Sequence, residues 1–325
     1  LDGARAKIAR LVGGTSAGVI FTGSATEANN LAVKGFAARA SGRHVVTSAV
    51  EHVSVLNSCR ELEKHGWRVT YVGVDADGRV DPDAIARAIT ADTVLVSVQA
   101  ANLEIGTIQP LLEIGRVLRP RGVAFHVDGV GAVGRLHLAV DECAIDLLSL
   151  SSNDLYGPPG AGALWVRPQT KLAPLIVGGA QEGGYRAGTE NLPAVVGMGV
   201  AAELARVERA SEATRLSALR DRLLEGLLGA EPDARITGAR GAAARLPHHA
   251  SIVVPGVKAD AVLMDLDLRG IAASSGSACS ALTDEPSHVL RAIGCDAAAA
   301  EGSLCFTVGR WTTAAEIEAV VDVLP

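Results

Sequence analysis

Short apolar runs alternate with amphipathic stretches along the first half of the sequence, and this alternation constrains the fold more than any other feature. The apolar runs have the length of strands, whereas the stretches between them repeat their apolar residues with helical periodicity. Strands are predicted at 18–22, 44–48, 68–74, 93–98, 123–127, 147–150 and 163–166, and helices at 25–38, 54–65, 82–89 and 110–118. The order predicts an α/β protein with a mostly parallel sheet covered by helices.

A long helical region at 194–228 leads to a second block with shorter elements. We predict strands there at 252–254, 271–273 and 303–308, and helices at 259–268, 287–293 and 314–324. We therefore expect a large α/β domain over residues 1–210 and a smaller C-terminal α+β domain over residues 211–325. A chain of 325 residues is long enough for each domain to bury its own core.

Composition excludes several classes of partner. The formal net charge of −6 gives no general attraction to nucleic acid or to acidic lipid. No apolar run reaches the length of a membrane span and no signal peptide is visible, so we expect a cytoplasmic protein. The five cysteines are an odd number, widely spaced and without a C-x-x-C pair, which argues against a disulfide framework and a four-cysteine zinc site.

Polar residues directly follow three of the predicted strands, at the edge where α/β proteins carry their chemistry. Gly23 to Asn30 joins a strand to a helix and suits a phosphate, although this pattern is more often a simple helix cap. His52 suits stacking on a planar ligand or proton transfer, although a lone histidine is more often structural. Asp128 needs a cationic partner if it is buried, and a structural ion pair and a protonated pyridine nitrogen are equally compatible with it.

The stretch from Ser274 to Ser280 carries the strongest local signal for function. Six small residues surround Cys279 there, and they could not fill a core. Flexible presentation of a nucleophilic thiol explains them better, so the pattern favours a functional cysteine over an inert one.

In combination, these stretches resemble one family along essentially the whole chain: the NifS/IscS-type cysteine desulfurases. These are fold-type I enzymes of the class V aminotransferase group that depend on pyridoxal phosphate (PLP). The matching motifs, in order, are G-S-A-T-E-A-N-N, E-H-V-S-V, N-L-E-I-G, V-D-G-V-G-A-V-G, Y-G-P-P-G-A-G-A-L, the stretch 178–191, S-S-G-S-A-C-S and E-P-S-H-V-L-R-A-I-G. So many motifs at matching intervals make coincidence very unlikely.

The resemblance implies a cofactor site at the strand ends. Ala25 and Thr26 would bind the PLP phosphate through the helix N-terminus, and Ser151 would add a hydroxyl. His52 would stack on the pyridine ring, and Asp128 would pair with the ring nitrogen.

The resemblance also implies partners. Thr189 would reach the phosphate of the neighbouring subunit in a homodimer with shared sites. Cys279 would take sulfur from L-cysteine as a persulfide and pass it to an acceptor such as an iron–sulfur scaffold.

Several positions depart from the family pattern, and they cluster on the chemistry. The family's His-Lys pair, which supplies the Schiff-base lysine, stands here as Asn153-Asp154, and aspartate cannot form a Schiff base. Where the family has a glutamine that bonds the cofactor, this chain has Gly131. Where the family has the second asparagine of N-N-E, this chain has Leu103. Where the family has the arginine that binds the substrate carboxylate, this chain has Cys305. The lysines of the chain are Lys7, Lys34, Lys64, Lys171 and Lys258, and we expect none of them beside Asp128.

Two functions are compatible with this pattern. The first is a slow desulfurase that holds PLP non-covalently, with Asp154 or His52 moving the Cα proton. The second is a catalytically inactive scaffold or partner subunit for cluster assembly that takes sulfur from sulfide or from a donor protein. Cys279 would then carry a persulfide or supply a thiolate ligand to a transient iron–sulfur cluster. A third reading, a different reaction on a non-amino substrate, has no residue in its favour.

Overall fold

A computed structural model describes residues 1–276 and 287–323 of the chain. The helices in this part are α1 (Asp2–Val12), α2 (Ala25–Asn30), α3 (Val53–Lys64), α4 (Pro82–Ala88), α5 (Leu111–Leu118), α6 (Leu192–Ala230), α7 (Ala259–Leu268), α8 (His288–Ala292), α9 (Ala297–Glu301) and α10 (Ala314–Val323). The strands are β1 (Val19–Thr22), β2 (His44–Ser48), β3 (Arg68–Val72), β4 (Thr93–Ser97), β5 (Ala124–Asp128), β6 (Leu147–Ser151), β7 (Gly162–Val166), β8 (Arg235–Ile236), β9 (His249–Val253) and β10 (Ser303–Thr307).

The chain forms two compact units. The first contains residues 1–72, 80–100 and 109–209, and the second contains 73–79, 101–108 and 210–325. Two short segments that precede residue 210 in the sequence therefore lie in the second unit.

The first unit is built on a seven-stranded sheet in the order β1-β7-β6-β5-β4-β2-β3. The strands from β3 to β6 pair in parallel, as the alternation of strands and helices predicts. β7 runs antiparallel to both β6 and β1, so β1 points in the same direction as β6. The carboxyl ends of β1, β2, β4, β5 and β6 consequently lie at one edge of the sheet.

The central strands of this sheet are buried and apolar, as strands covered on both faces must be. Leu95, Leu147 and Leu164 from neighbouring strands are all inaccessible to solvent. They belong to one core cluster with Leu31, from the π-helical turn that continues α2, and Val55 from α3. The packing of these two helices fixes where their N-termini stand relative to the strand ends.

The second unit contains a three-stranded antiparallel sheet in the order β10-β9-β8. Ile252 on β9 and Leu304 on β10 form its core with Leu223 from α6, Leu266 from α7 and Ile317 from α10. The strands predicted at 252–254 and 303–308 are thus present, with β9 beginning three residues earlier than predicted.

The strand predicted at 271–273 is wrong. Ile271 to Ala273 have no regular structure, and among the described residues 270–276 the sheet is met at Ser274 alone, through a single bridge to Cys305. Gly270 and Gly276 on either side both have positive φ angles, of 77° each. Because such turns end strand geometry at both sides, the apolar triplet is too short to extend the pairing beyond one bridge.

The helix predicted at 194–228 is confirmed as α6, a single helix of 39 residues. Charged residues such as Glu203, Arg206 and Arg215 occur along its length. Within the described part of the chain, no helix combines the length and the apolar character needed to cross a bilayer.

Candidate functional site

The shared strand edge of the first unit brings together most of the polar residues that the sequence singles out. Asp128 is the last residue of β5 and Ser151 the last residue of β6. His52 is the N-cap of α3, four residues after β2 ends, and Ala25 opens α2 directly behind β1. The parallel arrangement therefore places these four positions along one edge, as predicted.

Asp128 is buried, with 5% of its surface exposed. Its Oδ2 accepts a hydrogen bond from Asn29 Nδ2 at 2.7 Å, and its Oδ1 accepts one from the backbone N–H of Val130 at 3.1 Å. Burial raises the pKa of the Asp128 carboxyl; these hydrogen bonds and His52 oppose that rise, and Asp154 adds to it. In the described residues no lysine or arginine contacts this carboxylate, so it lacks the cationic partner that its burial calls for.

A hydrogen-bond chain connects Asp128 to His52. The amide nitrogen Nδ2 of Asn29 donates both to Asp128 and to the Ser54 hydroxyl, the latter at 2.9 Å. Ser54 Oγ lies 2.7 Å from His52 Nδ1, and the Ser54 backbone N–H also points at this nitrogen, at 3.2 Å. Since Nδ1 accepts from the Ser54 backbone N–H, a ring proton is assigned to Nε2.

Glu51, the residue before His52, is a second buried acid at this edge, and its place in the site could not be recognised from the sequence. Its side chain is completely buried, and Oε1 accepts from Ser48 Oγ at 2.6 Å and from the Gln99 backbone N–H at 2.9 Å. Burial raises the pKa of this carboxyl to about 8. Glu51 is therefore protonated at neutral pH and supports the turn that carries His52.

The N-terminus of α2 is held by a capping box. Ser24 Oγ accepts from the Glu27 backbone N–H at 3.2 Å, and Glu27 Oε2 accepts from the Gly23 N–H at 2.8 Å. Gly162 at the start of β7 lies so close that an added Cβ would approach the Ser24 carbonyl carbon to 2.4 Å. The cap that the sequence allows is thus present, and it leaves the N–H groups of the first helical residues, Ala25 and Thr26, facing outward by helix geometry.

The turn after β6 contains Asp154. Ser151 Oγ donates to Asn153 Oδ1 at 2.8 Å, and Asn153 Nδ2 donates to Asp154 Oδ2 at 3.1 Å. Burial lowers the pKa of the Arg135 guanidinium, and the negative charge of Asp154 opposes that decrease. In the described residues Arg135 Nη1 is buried without a hydrogen-bond partner. Asp154 therefore acts electrostatically on both a buried acid, Asp128, and a buried cation, Arg135.

The stretch 178–191 is anchored to the same region by two ion pairs. Glu182 makes a two-pronged pair with Arg5, at 2.7 and 2.8 Å, and also accepts from the Phe21 N–H at 2.7 Å. Arg186 Nε lies 3.0 Å from Glu27 Oε1 of the capping box. Thr189 in this stretch is exposed, and no described contact joins it to the other predicted site residues.

The remaining predicted site residue, Cys279, lies in 277–286, outside the described residues. Its suggested role as an iron–sulfur ligand stays a prediction, and among the residues that are described no cluster of three or more His, Cys, Asp or Glu side chains is arranged to hold a metal ion. Cys305 is buried, and burial raises its pKa to about 12. This thiol is therefore uncharged at neutral pH.

The fold is fold type I, the architecture of a large class of PLP-dependent enzymes. The chain belongs to the aminotransferase class-V family, whose model matches residues 1–320. It is 44% identical over 327 residues to "Cysteine desulfurase IscS 1" of Archaeoglobus fulgidus, a match that covers 100% of this chain and 85% of the relative. It is also 44% identical over 326 residues to "Cysteine desulfurase IscS" of Dictyoglomus turgidum, covering 100% and 82%.

The architecture agrees with that assignment. A solved "NifS-like protein" superposes with a TM-score of 0.92 at 31% identity, covering 99% of this chain and 86% of that one. The X-ray structure of a NifS-like protein from Rickettsia africae gives a TM-score of 0.87 at 29% identity, covering 98% and 85%. The predicted α/β fold of fold type I is thereby confirmed.

The strand edge can be tested against PLP, the cofactor of this family. A buried carboxylate without a cationic partner, Asp128, is suited to a protonated ring nitrogen, and the capped N-terminus of α2 is suited to a phosphate. A covalent link to PLP needs a lysine, and Asp154 stands in the turn after β6 where the family has one. The five lysines of the chain lie in α1, in the turn after α2, in α3, in the loop after β7 and at the N-cap of α7. The residues therefore fit PLP held without a Schiff base.

Proposed function

We propose that this protein is a cysteine desulfurase-like sulfur-transfer protein of iron–sulfur cluster assembly that holds PLP non-covalently and uses Cys279 as the sulfur carrier. The observation that carries the proposal is the full-length similarity to cysteine desulfurases, together with the network that joins Asp128, Asn29, Ser54 and His52. This network joins an acid suited to the ring nitrogen to an imidazole at the same edge of the sheet.

Each residue at the edge has a defined task in this proposal. Asp128 holds the charge of the ring nitrogen, His52 covers the ring, and the N–H groups of Ala25 and Thr26 with the Ser151 hydroxyl bind the phosphate. Thr189 contributes to the phosphate site of a neighbouring subunit. When bound, PLP withdraws electrons from the Cα of the substrate L-cysteine.

The chain itself must move the proton and the sulfur. Asp154 or His52 takes the Cα proton, because no lysine is available for this step. The Cys279 thiolate forms a bond to the sulfur of L-cysteine as the Cβ–S bond breaks, and the carbon keeps the electron pair and is protonated, so that alanine leaves. The persulfide on Cys279 is then passed to an iron–sulfur scaffold or another acceptor. Without the lysine we expect this reaction to be slow.

A second candidate function rests on Asp154. An aspartate adds negative charge beside Asp128, and it raises the pKa of that carboxyl further. Its negative charge also repels the anionic groups of PLP, where the family lysine would attract them. A catalytically inactive scaffold or partner subunit needs no cofactor and tolerates Asp154. In it the Cys279 thiolate would accept the outer sulfur of a donor protein's persulfide while the donor leaves as a thiolate, or would ligate a cluster to which sulfide supplies the inorganic sulfur.

A homodimer is part of the proposal and is supported by an exposed apolar stripe. On α6, Leu192, Val196, Val200 and Leu204 recur every four residues, and 44–52% of the surface of each is exposed. Val177, in the loop that precedes the stretch carrying Thr189, is 80% exposed. Apolar surfaces of this kind mark interfaces between chains, and a second copy of this chain would bring Thr189 to a neighbouring site.

Sulfide release from L-cysteine, measured with added PLP and a reductant, tests the proposal against a Cys279→Ala control. We expect sulfide from the wild type and none above background from the variant. If neither protein releases sulfide, the desulfurase is excluded and the scaffold function takes its place. The scaffold function in turn predicts that a complex with an iron–sulfur acceptor gains cluster absorbance that Cys279→Ala weakens.

A further inference from the structure

A cavity of about 440 Å³ lies at the edge of the seven-stranded sheet opposite to the edge that carries Asp128 and Ser151. Its walls come from the start of β5, the residue before β6 and the segment after β7, all within the first unit. Because β7 runs antiparallel to β6, the end of β7 meets the start of β6 at this edge. The cavity is thus about 13 Å, the length of a strand, from the proposed cofactor site. Its volume is typical of cavities that hold small ligands.

The lining of this cavity is positively charged. Arg119, Arg167 and Lys171 are its three cations and Asp146 is its one acid, which gives a net charge of +2. Arg167 is engaged by the protein, since its Nε lies 3.0 Å from Asp146 Oδ1 and its Nη1 lies 2.7 Å from Asp141, an exposed acid outside the lining. Arg119 and Lys171 are exposed, and within the described residues their side chains form no ion pair. These two cations are therefore the ones open to a ligand.

The acid of the cavity is occupied by protein donors. Asp146 Oδ2 accepts from the Phe125 backbone N–H at 2.9 Å, and its other oxygen faces Arg167. Burial raises the pKa of the Asp146 carboxyl, and the Phe125 N–H and the charges of Arg167 and Arg119 oppose that rise. The charge of Arg119 therefore acts inside the cavity, although its side chain is exposed.

One wall of the cavity is aromatic and is fixed by an unusual turn. Phe36 directly follows the π-helical turn Leu31–Gly35. The Gly35 carbonyl accepts from the Ala173 N–H at 2.9 Å, and a Cβ added at Gly35 would lie 2.7 Å from the Ala173 carbonyl oxygen. The turn is thus packed directly against the segment after β7. Turns of this kind are rare and occur frequently at functional sites.

Two further lining residues have a backbone conformation that is uncommon for residues with a side chain. Ala144 has a φ of 54° and Gln169 a φ of 77°, and they are two of the four non-glycine residues with positive φ in the described part of the chain. Arg167 ties both segments together, because its Nη2 donates to the Ile145 carbonyl at 2.7 Å and its own carbonyl accepts from the Thr170 N–H at 3.1 Å. Backbone strain of this kind clusters at ligand sites.

We propose that this cavity binds a small organic phosphate, with the phosphate group at Arg119 and Lys171 and the uncharged part of the molecule against Phe36. A phosphate monoester carries a charge of about −1.5 to −2 at neutral pH, which matches the charge of the lining. Arginine and lysine bind phosphate oxygens through charge-assisted hydrogen bonds, and the apolar wall suits the remainder of the ligand. The site is additional to the sulfur-transfer function and does not depend on it.

The test measures how far a ligand protects Lys171 from acetylation, because a phosphate could also bind at the N-terminus of α2 and total binding would not separate the two places. The full chain is treated with acetic anhydride, and mass spectrometry gives the rate at which Lys171 is modified. We expect millimolar AMP to slow this reaction at least about fivefold, inorganic phosphate to protect only at higher concentration, and adenosine not to protect. Lys258, exposed at the N-cap of α7 in the second unit, is the internal reference and should react at an unchanged rate.

Three variants locate the site. Arg119→Ala should raise the AMP concentration that gives half-maximal protection about tenfold, the effect of losing one charge-assisted hydrogen bond. Arg116→Ala, at an exposed position of α5, is the matched control and should leave that concentration unchanged. Phe36→Leu keeps an apolar wall without the ring, so it should weaken protection by AMP and leave protection by phosphate as it is.

Three results would overturn the proposal: no protection by either AMP or phosphate, equal protection of Lys171 and Lys258, or equal effects of Arg119→Ala and Arg116→Ala. Protection by inorganic phosphate as strong as that by AMP would overturn the assignment of an organic ligand. Acetylation requires neither PLP nor L-cysteine, so a failure of the desulfurase function leaves this result unaffected.

Discussion

Asn29 and Asp128, which are 99 residues apart in the sequence, are joined by a hydrogen bond of 2.7 Å from Nδ2 to Oδ2. The same nitrogen donates to Ser54, so one amide orients the buried acid at the end of β5 and, through Ser54, the imidazole of His52 at the start of α3. The acid and the imidazole are therefore positioned together rather than separately, and a change at Asn29 should affect both.

Replacing Asn29 with alanine should lower the free energy of unfolding by about 1–3 kcal/mol, because it leaves a buried carboxylate and a buried hydroxyl without their donor. Urea titration of the variant and the wild type measures this difference. Asn30→Ala is the matched control, because the Asn30 amide bonds only the exposed Thr26 carbonyl and should cost less than about 0.5 kcal/mol. Equal losses in the two variants would contradict the role given to Asn29.

Replacing Asp154 with lysine should convert non-covalent PLP binding into a covalent link. The substitution removes the charge that raises the pKa of the Asp128 carboxyl and supplies an amine at the end of β6. Borohydride reduction of the protein with added PLP, followed by mass spectrometry, should find a PLP-sized mass increase on the peptide that contains residue 154. Asn153→Lys, one residue away on an exposed position, should show no such adduct. If Asp154→Lys gains no adduct either, the edge is not a PLP site.

Glu51 should make the stability of the protein depend on pH. Its folded-state pKa of about 8 is raised above the unfolded value of 4.5, so the native state keeps a proton that the unfolded state releases. The stabilisation is complete below about pH 4.5 and is lost as the pH rises toward 8, with a slope of up to about 1.4 kcal/mol per pH unit from this group. Glu51→Gln should remove this slope and be more stable than the wild type at pH 8.

Unfolding measured in urea at pH 6, 7 and 8 gives the comparison. Glu113→Gln, at an exposed position of α5, keeps the wild-type slope if the dependence belongs to Glu51. Identical slopes in the wild type and in Glu51→Gln would show that Glu51 does not titrate in this range.

Breaking the ion pair between Arg5 and Glu182 should be costly. The Glu182 side chain is only 1% exposed, and Arg5→Ala would leave its carboxylate buried without a counter-charge, a loss of about 3–5 kcal/mol in the free energy of unfolding. The pair Arg10 and Glu203 on the surface, with an N–O distance of 3.5 Å, offers the contrast, and Arg10→Ala should cost no more than about 1 kcal/mol. Thermal or urea unfolding distinguishes the two. A small effect at Arg5 would mean that Glu182 is held by the Phe21 N–H instead.

The positions at the strand ends could be predicted from the sequence because they follow from local patterns. Asp128 and Ser151 close apolar runs, and a parallel sheet then places them at one edge. The links between these positions could not be predicted, since nothing in the sequence near Asn29 indicates that its amide will meet a carboxylate 99 residues later. The burial of Glu51 could not be predicted either, because an acid next to a histidine is typical of an exposed pair of polar residues.

The prediction of a strand at 271–273 failed for the opposite reason. Three small apolar residues satisfy the local pattern of a strand, but pairing is decided by the neighbouring chain and by the turns at Gly270 and Gly276.

The order of the seven-stranded sheet has a consequence for how the protein is made. In the part of the chain that the structure describes, β1 pairs with β7 alone, so the strand pairing of Thr22 has to await Gly162, about 140 residues later. At 5–20 residues per second, the ribosome needs roughly 7 to 28 s to deliver the partner strand. During that interval the apolar segment Val19–Thr22 has an open edge in the nascent chain, where a chaperone can bind until β7 has been made.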